Sequence, residues 1–289
     1  MMFIYINGQF LNKKEAMISP FDHGFLYGMG LFETFRVYEG HPFLLDDHLE
    51  RLNQGLEVLN INSRLQREAT NSILQELLKL NGLTNAYLRL NVSAGIGDIG
   101  LQVDAYNDPN ILFFPKPLPP AGELTEKKAI ILKMKRNSPE GNERLKSHHF
   151  MNNILAKREI GNTPDVEGIF LTADGYLAEG IVSNLFWVKG NVLFTPAIQT
   201  GILNGITRQF VIELAKKNHL RVEEGFYSIV EALEAEEMFV TNSIQEIVPL
   251  TTFAGQQLPG KCGQVVQHLN HQYRDYCKHL WSRKCVRSE

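Results

Sequence analysis

Lys146 sits in the run Arg144-Leu145-Lys146-Ser147-His148-His149-Phe150, between a polar loop with Pro139 and Gly141 and a helix-patterned stretch. Farther along, Glu179 interrupts an otherwise apolar strand region, Ala178-Glu179-Gly180-Ile181. Gly205-Ile206-Thr207-Arg208 then opens a segment whose apolar positions, Phe210, Val211, Leu214 and Ala215, have helical spacing. Thr241-Asn242-Ser243 places small donors after an apolar strand, and Arg51 stands in His48-Leu49-Glu50-Arg51-Leu52. An amine, a carboxylate in apolar surroundings and a helix start rich in N–H and hydroxyl donors are what pyridoxal phosphate requires. The aldehyde needs a lysine, the ring nitrogen needs an acid that keeps it protonated, and the phosphate needs N–H groups, hydroxyls or a cation. Each residue also has an ordinary reading. Lys146 and Arg51 could be solvated cations, Glu179 an exposed strand-face acid, and Thr207, Asn242 and Ser243 helix or turn caps.

Other chemistry-bearing patterns fail on context. His148-His149 has no third ligand at metal spacing, so no metal site is expected. Gly95-Ile96-Gly97-Asp98-Ile99-Gly100 matches G-x-G-x-x-G but precedes no helical pattern, so a dinucleotide site is not expected. No Gly-x-Ser-x-Gly elbow occurs. Cys262, Cys277 and Cys285 lack metal spacing and suggest free thiols in a reducing cytoplasm.

The chain has 289 residues, 44% hydrophobic and 21% charged, enough for two ordinary domains with a sizeable core. A net charge of -3 implies no nucleic-acid field. No apolar run approaches the roughly 20 residues that span a bilayer, so no membrane partner is expected. The opening, Met2-Phe3-Ile4-Tyr5-Ile6 into Asn7-Gly8, reads as a strand and turn instead of a signal peptide.

The elements that must position these residues follow from periodicity. Residues 2–11 predict a hairpin. Strands are expected at 31–38, 87–93 and 111–115, and helices at 46–59 and 64–81, the second closed by Gly82. Lys116-Pro117-Leu118-Pro119-Pro120 is the most linker-like stretch. The expected division is a smaller domain over 1–116, a linker at 117–121 and a larger domain over 122–289. Beyond the linker the pattern predicts strands at 129–135, 165–172, 177–188, 192–195, 221–226 and 237–241. Helices are expected at 150–160, 207–219, 228–235 and 263–281, with a frayed tail at 283–289. The fold class is α+β or mixed α/β, with helices and strands segregated in the first domain.

Together these motifs resemble the fold type IV pyridoxal-phosphate enzymes, which include branched-chain aminotransferases, D-amino acid aminotransferases and aminodeoxychorismate lyases. The likeness runs from Tyr5-Ile6-Asn7-Gly8 to Ile247-Val248-Pro249. It passes through Tyr27-Gly28-Met29-Gly30-Leu31-Phe32-Glu33-Thr34, Leu145-Lys146-Ser147, Glu179-Gly180-Ile181-Val182-Ser183-Asn184, Gly205-Ile206-Thr207-Arg208 and Phe239-Val240-Thr241. The resemblance implies a two-domain homodimer subunit with the cofactor between the domains. It implies that Lys146 binds the aldehyde and shuttles protons, and that Glu179 pairs with the pyridine nitrogen. Arg51, Ile206, Thr207, Asn242 and Ser243 would hold the phosphate. Within the family, residues 19–34, 145–159 and 184–210 resemble the lyases, which make 4-aminobenzoate and pyruvate for folate synthesis. Thr34 would then line the lyase site. Arg89 and Asn242 are candidates for the substrate carboxylates. Aminotransferase activity is the alternative, but Ala94 stands where D-amino acid aminotransferases carry a carboxylate-binding arginine.

Overall fold

A computed structural model of the protein describes residues 2–287, with no side-chain description at Arg287. The chain forms two compact units. The first comprises residues 1–122, 145–149 and 277–282; the second comprises 123–144, 150–276 and 283–289. The chain thus returns twice to the first unit after the proline-rich segment. Proline content marks stiff chain and carries no information about such returns.

The first unit contains β1 (Phe3–Ile6), β2 (Gln9–Asn12), β3 (Gly30–Tyr38), β4 (His41–Pro42), β5 (Ala86–Ser93) and β6 (Asn110–Pro117). They form one sheet in the order β2-β1-β6-β5-β3-β4. Asn7 and Gly8, both at positive φ, turn β1 into β2 as an Asn-Gly hairpin should. Three helices accompany it: α1 (His23–Tyr27), α2 (Leu45–Val58) and α3 (Arg67–Asn81). Gly82 ends α3 in the left-handed conformation, as expected. Lys116 and Pro117 are still paired in β6, opposite Tyr87 and Ala86, so the linker-like stretch begins inside the sheet.

Strand alternation divides this sheet into two chemically different faces. Leu31, Phe35, Val37, Leu88, Leu90 and Val92 point into a core with α2 and α3 residues such as Leu49, Leu52 and Leu77. The intervening residues Phe32, Thr34, Tyr87, Arg89 and Asn91 therefore occupy the other face.

The glycines of the 95–100 string serve loop closure. Among the described residues, none between Ala94 and Pro109 is helical. Gly95 has φ +90°, and a Cβ there would collide with the Asp108 carbonyl. A Cβ on Gly97 would collide with His23, whose ring is held by Tyr106 Oη at 2.8 Å and the Asp98 carbonyl at 2.9 Å.

The second unit contains β7 (Lys127–Ile131), β8 (Val166–Leu171), β9 (Leu177–Gly180), β10 (Asn184–Lys189), β11 (Val192–Pro196), β12 (Arg221–Gly225), β13 (Glu237–Asn242), β14 (Glu246–Phe253) and β15 (Gln256–Gln257). Its helices are α4 (Met151–Ile160), α5 (Ile206–Lys217), α6 (Ile229–Ala232) and α7 (Gln264–Tyr276). The path β10-β13-β14-β7-β8-β9 closes into a ring where Glu179 of β9 pairs with Asn184 of β10. β11 and β12 extend the sheet from β10. The expected 177–188 strand is split by residues 181–183, and β14 was not anticipated. Arg283–Arg287 forms a 3-10 turn with Val286 fully buried, which replaces the expected fraying; Ser288 and Glu289 lie outside the described residues. No helix is long and apolar enough to cross a membrane among the described residues.

Leu88 tests the two-faced sheet because it is fully buried on the core side, next to Arg89 on the other. Leu88→Ala should cost about 2–5 kcal/mol of stability. Urea unfolding should show that loss, whereas ligand affinity at the opposite face should be unchanged at a temperature where the variant stays folded.

Candidate active site

Within the first unit, residues 145–149 run antiparallel beside β3. Phe32 N–H donates to the Lys146 carbonyl at 2.9 Å, His148 N–H donates to the Gly30 carbonyl at 3.0 Å, and Ser147 pairs with Leu31. Alternation then fixes the side chains. Leu145 packs on the hydrophobic core, so Lys146 and His148 project to the face that carries Phe32, Thr34, Arg89 and Asn91. Lys146 Nζ lies 4.6 Å from the Phe32 ring centre, and the Arg89 guanidinium lies 3.7 Å from the same centre. Thr34 is half-buried and pairs directly with Arg89. Burial pulls the Arg89 pKa below its usual value. This face thus brings together an amine, a cation and a hydroxyl-bearing residue.

Arg51 lies one helix away, on α2. Its Nε and one Nη donate to the two oxygens of Glu33, both at 2.7 Å, and His48 Nδ1 is 2.7 Å from the same carboxylate. Glu33 and His48 are each 1% exposed. Burial alone would raise the Glu33 pKa, but Arg51 and His48 overcome it and hold the carboxyl at about 2. Burial dominates at His48 and lowers its pKa despite Glu33. Arg51 is therefore an oriented cation whose direction is set by a buried acid.

In the second unit, Glu179 is 4% exposed and fully engaged as an acceptor. Arg136 Nε donates to it at 2.7 Å, the Leu203 N–H at 3.1 Å and Asn184 Nδ2 at 3.4 Å, while Arg144 Nε lies 3.9 Å away. Two arginines beside one buried carboxylate compensate its charge. Burial first, then the Arg136 charge, lowers the Arg144 pKa to about 10.

Helix α5 begins nearby in this unit. Its N-cap is Gly205, which supplies no side-chain acceptor to the first turn. A Cβ at Gly205 would collide with Asn184 Oδ1, so glycine is required there. Ile206 and Thr207 are buried, and Thr207 Oγ1 meets Ser243 Oγ at 3.3 Å. A helix start with two hydroxyls beside it and no side-chain cap is a donor set suited to phosphate. Asn242 is placed differently. Its Oδ1 accepts from the Ile244 and Gln245 N–H groups at 3.0 and 2.8 Å, so its side chain shapes the turn that presents Ser243.

The structure thus groups Lys146, Thr34 and Arg89 on one sheet face and places Arg51 on α2 of the same unit. Within the other unit, Glu179 lies at the ring closure, and Ile206, Thr207 and Ser243 at the α5 start. Sequence reasoning did not single out Glu33, His48, Arg136 or Asn184, the partners that orient the recognised groups. The signal available for Glu33 was a charged residue at a core-facing position of a strand. Arg136 had no such signal, because its partner Glu179 is distant in sequence.

The sequence pattern of the amino-transferase class IV family matches residues 30–253. The chain is 47% identical over 283 residues to the aminodeoxychorismate lyase of Bacillus subtilis, covering 97% of each. Among solved structures it resembles the 4-amino-4-deoxychorismate lyase of Pseudomonas aeruginosa, with TM-score 0.83, 26% identity and 95% and 99% of the two chains covered. It also resembles the branched-chain amino acid aminotransferase of Escherichia coli, with TM-score 0.85, 25% identity and 96% and 95% covered.

The Glu33 cluster predicts a direction of pH dependence. His48 and Glu33 both have folded pKa values below their unfolded ones, so the unfolded chain binds more protons as pH falls. Stability should be complete above about pH 6.5, decline first as unfolded His48 protonates, and decline further between about pH 4.5 and pH 2 through Glu33. Urea unfolding across this range should show both declines. Glu33→Gln should be less stable at neutral pH and should lack the Glu33 contribution to the lower decline.

Proposed function

The chain belongs to the amino-transferase class IV family, and from that premise we propose that it is a pyridoxal-phosphate-dependent aminodeoxychorismate lyase. The reaction converts 4-amino-4-deoxychorismate to 4-aminobenzoate and pyruvate. The observation that carries the lyase reading is the end-to-end likeness to the Bacillus subtilis enzyme. The residues fit the cofactor on chemistry: a lysine on a polar sheet face, a buried carboxylate paired with an arginine, and a helix start with N–H and hydroxyl donors.

Bound pyridoxal phosphate supplies an aldehyde that condenses with an amine and a protonated ring that accepts the electron pair left by a broken C–H bond. Lys146 Nζ would hold the aldehyde, and the same amine would serve as the base at the amine-bearing ring carbon of the substrate. Glu179, oriented by Arg136, would pair with the pyridine nitrogen. The Ile206 and Thr207 N–H groups, with the Thr207 and Ser243 hydroxyls, would hold the phosphate, and the Glu33-oriented Arg51 would add positive charge. Asn242 contributes by shaping the Ser243 turn.

The C–H bond at the amine-bearing carbon and the C–O bond to the enolpyruvyl group would both break, and the departing enolpyruvate would take up the proton that Lys146 removed to become pyruvate. The ring becomes aromatic, which supplies the driving force. Arg89 is the receptor for a substrate carboxylate and Thr34 lines the same face. Ala94 is 2% exposed and its N–H is bound to the Met29 carbonyl, so this position offers no cation to a D-amino acid carboxylate.

The assembly proposed is a homodimer in the cytoplasm. Residues 17–27 and 96–103 of the first unit lie together, joined by the Asp22–Ile96 bridge, and expose Met17, Phe25, Ile96, Ile99, Leu101 and Val103. An apolar surface of this kind favours a partner. None of Cys262, Cys277 and Cys285 is in a disulfide, which accords with a reducing compartment.

Purified enzyme given aminodeoxychorismate should release pyruvate and 4-aminobenzoate in equal amounts, and Lys146→Ala should lower the rate by at least about a thousandfold. Transfer of amino groups from valine or D-alanine to 2-oxoglutarate without pyruvate release would replace the lyase reading with an aminotransferase. The homodimer is tested by Phe25→Glu/Leu101→Glu, expected to sediment as a monomer where the unaltered chain sediments as a dimer.

A further inference from the structure

We propose that His148 is a positioning residue that sets the carboxylate receptor Arg89 through Asn91, and so determines substrate affinity without taking part in the chemistry. The proposal rests on the lyase reading, in which Arg89 receives a substrate carboxylate.

The placement of His148 follows from the alternation that exposes Lys146. Two residues on and paired with Gly30, it projects to the same face. Its ring lies against the Gly30 backbone, where any Cβ would collide with Cε1 and Nδ1. Gly28 makes the same provision for His149, whose Nε2 lies 3.2 Å from the Tyr27 carbonyl. The two glycines of Tyr27-Gly28-Met29-Gly30 and the two histidines of Ser147-His148-His149 are thus complementary. His149 ties the segment to the end of α1, and His148 reaches β5.

The hydrogen bonds define what His148 does there. Its Nε2 is 3.0 Å from Asn91 Oδ1, and Arg89 Nη2 donates to that same oxygen at 3.2 Å. Arginine has donors only, so the shared atom is the amide oxygen and His148 Nε2 is the second donor to it. Asn91 is held from one side by the imidazole and holds Arg89 from the other. The Phe32 ring, 3.7 Å from the guanidinium carbon, supports Arg89 in addition. With His148 absent, the Asn91 amide can rotate and Arg89 loses one of its supports.

The charge state suits this role. Burial, then the Arg89 charge and to a lesser degree His149, lowers the His148 pKa to about 4, against smaller opposing effects from Asp22 and the Leu31 carbonyl. At neutral pH the ring donates one hydrogen bond and places no second positive charge beside Arg89. A lysine or arginine at this position would compete for the carboxylate that Arg89 is proposed to bind.

The test separates affinity from turnover. His148→Phe keeps an aromatic ring and removes the donor. KM for aminodeoxychorismate should rise about three- to tenfold, the scale of one neutral hydrogen bond, with kcat within about twofold. The inhibition constant of chorismate, which carries both carboxylates and no amine, should rise in parallel. Cofactor affinity, measured by absorbance titration of the apo-enzyme with pyridoxal phosphate, should be unchanged. His148→Gln, which restores an N–H donor, should recover part of the loss. Asn91→Ala removes the shared oxygen and should reproduce the KM increase, and the double variant should lose little more than either single one. Unchanged KM in His148→Phe or in Asn91→Ala, or a loss confined to kcat, would overturn the role assigned to His148. Wild-type pyruvate release tests the lyase reading separately, and chorismate binding to wild type against His148→Phe tests His148 whichever way that assay falls.

Discussion

A strand has two faces, and the short pairing of residues 145–149 with β3 uses both. Leu145 is half-buried and packs against the hydrophobic core of the first unit, and apolar burial stabilises by roughly 25 cal/mol per Å². The Lys146 carbonyl and the His148 N–H are committed to Phe32 and Gly30. With the backbone bonded and one side chain packed on the core, the pleat leaves Lys146 and His148 no choice but the opposite face. A slip of one residue would send Lys146 into the core, where an unpaired ammonium is far more costly than the leucine is favourable. Hydrophobic burial therefore sets the register, and the position of the Lys146 amine follows from it.

Charge burial imposes the second constraint. Glu33 and Glu179 are both nearly inaccessible, and each is surrounded by donors from elements far apart in sequence. Glu33 joins β3 to α2 through His48 and Arg51, and Glu179 joins the β9–β10 closure to Arg136 and to the Leu203 N–H before α5. Removing one member of such a cluster leaves an unpaired buried charge, which is worth several kcal/mol against the fold. These clusters hold cations and anions in one orientation. At Glu179 the compensating charges are those of Arg136 and Arg144.

Local chemistry made much of this legible in the sequence. Asn7-Gly8, the leucine spacing of α2 and α3, and Gly82 each specify an element by interactions within a few residues, and the structure agrees at each. Glu179 and the α5 start were recognisable because a carboxylate in an apolar run and a Gly-Ile-Thr helix opening are local anomalies. What escaped depends on pairing. β14 carries Pro249 and mixed polarity, and its place is given by β13 on one side and β7 on the other. The return of 145–149 to β3 is a contact between segments more than a hundred residues apart, with only a leucine-lysine alternation to mark it. Arg136 and Val286 are buried by partners that no window of sequence contains.

Backbone likeness cannot choose between the two reactions of the family, since the lyase and aminotransferase structures resemble this chain about equally. Both reactions begin with removal of a proton by the same lysine. Transamination requires a second substrate to accept the amino group. Elimination requires none, because loss of the enolpyruvyl group consumes the electron pair and leaves an aromatic ring. Discrimination must therefore come from which substrate is held with its leaving group in place, and that falls to side chains on the sheet face beside Lys146. Arg89, Asn91, Thr34 and His148 project to the face opposite the core that fixes the register. A two-faced sheet lets substrate choice change while the amine stays where hydrophobic packing puts it.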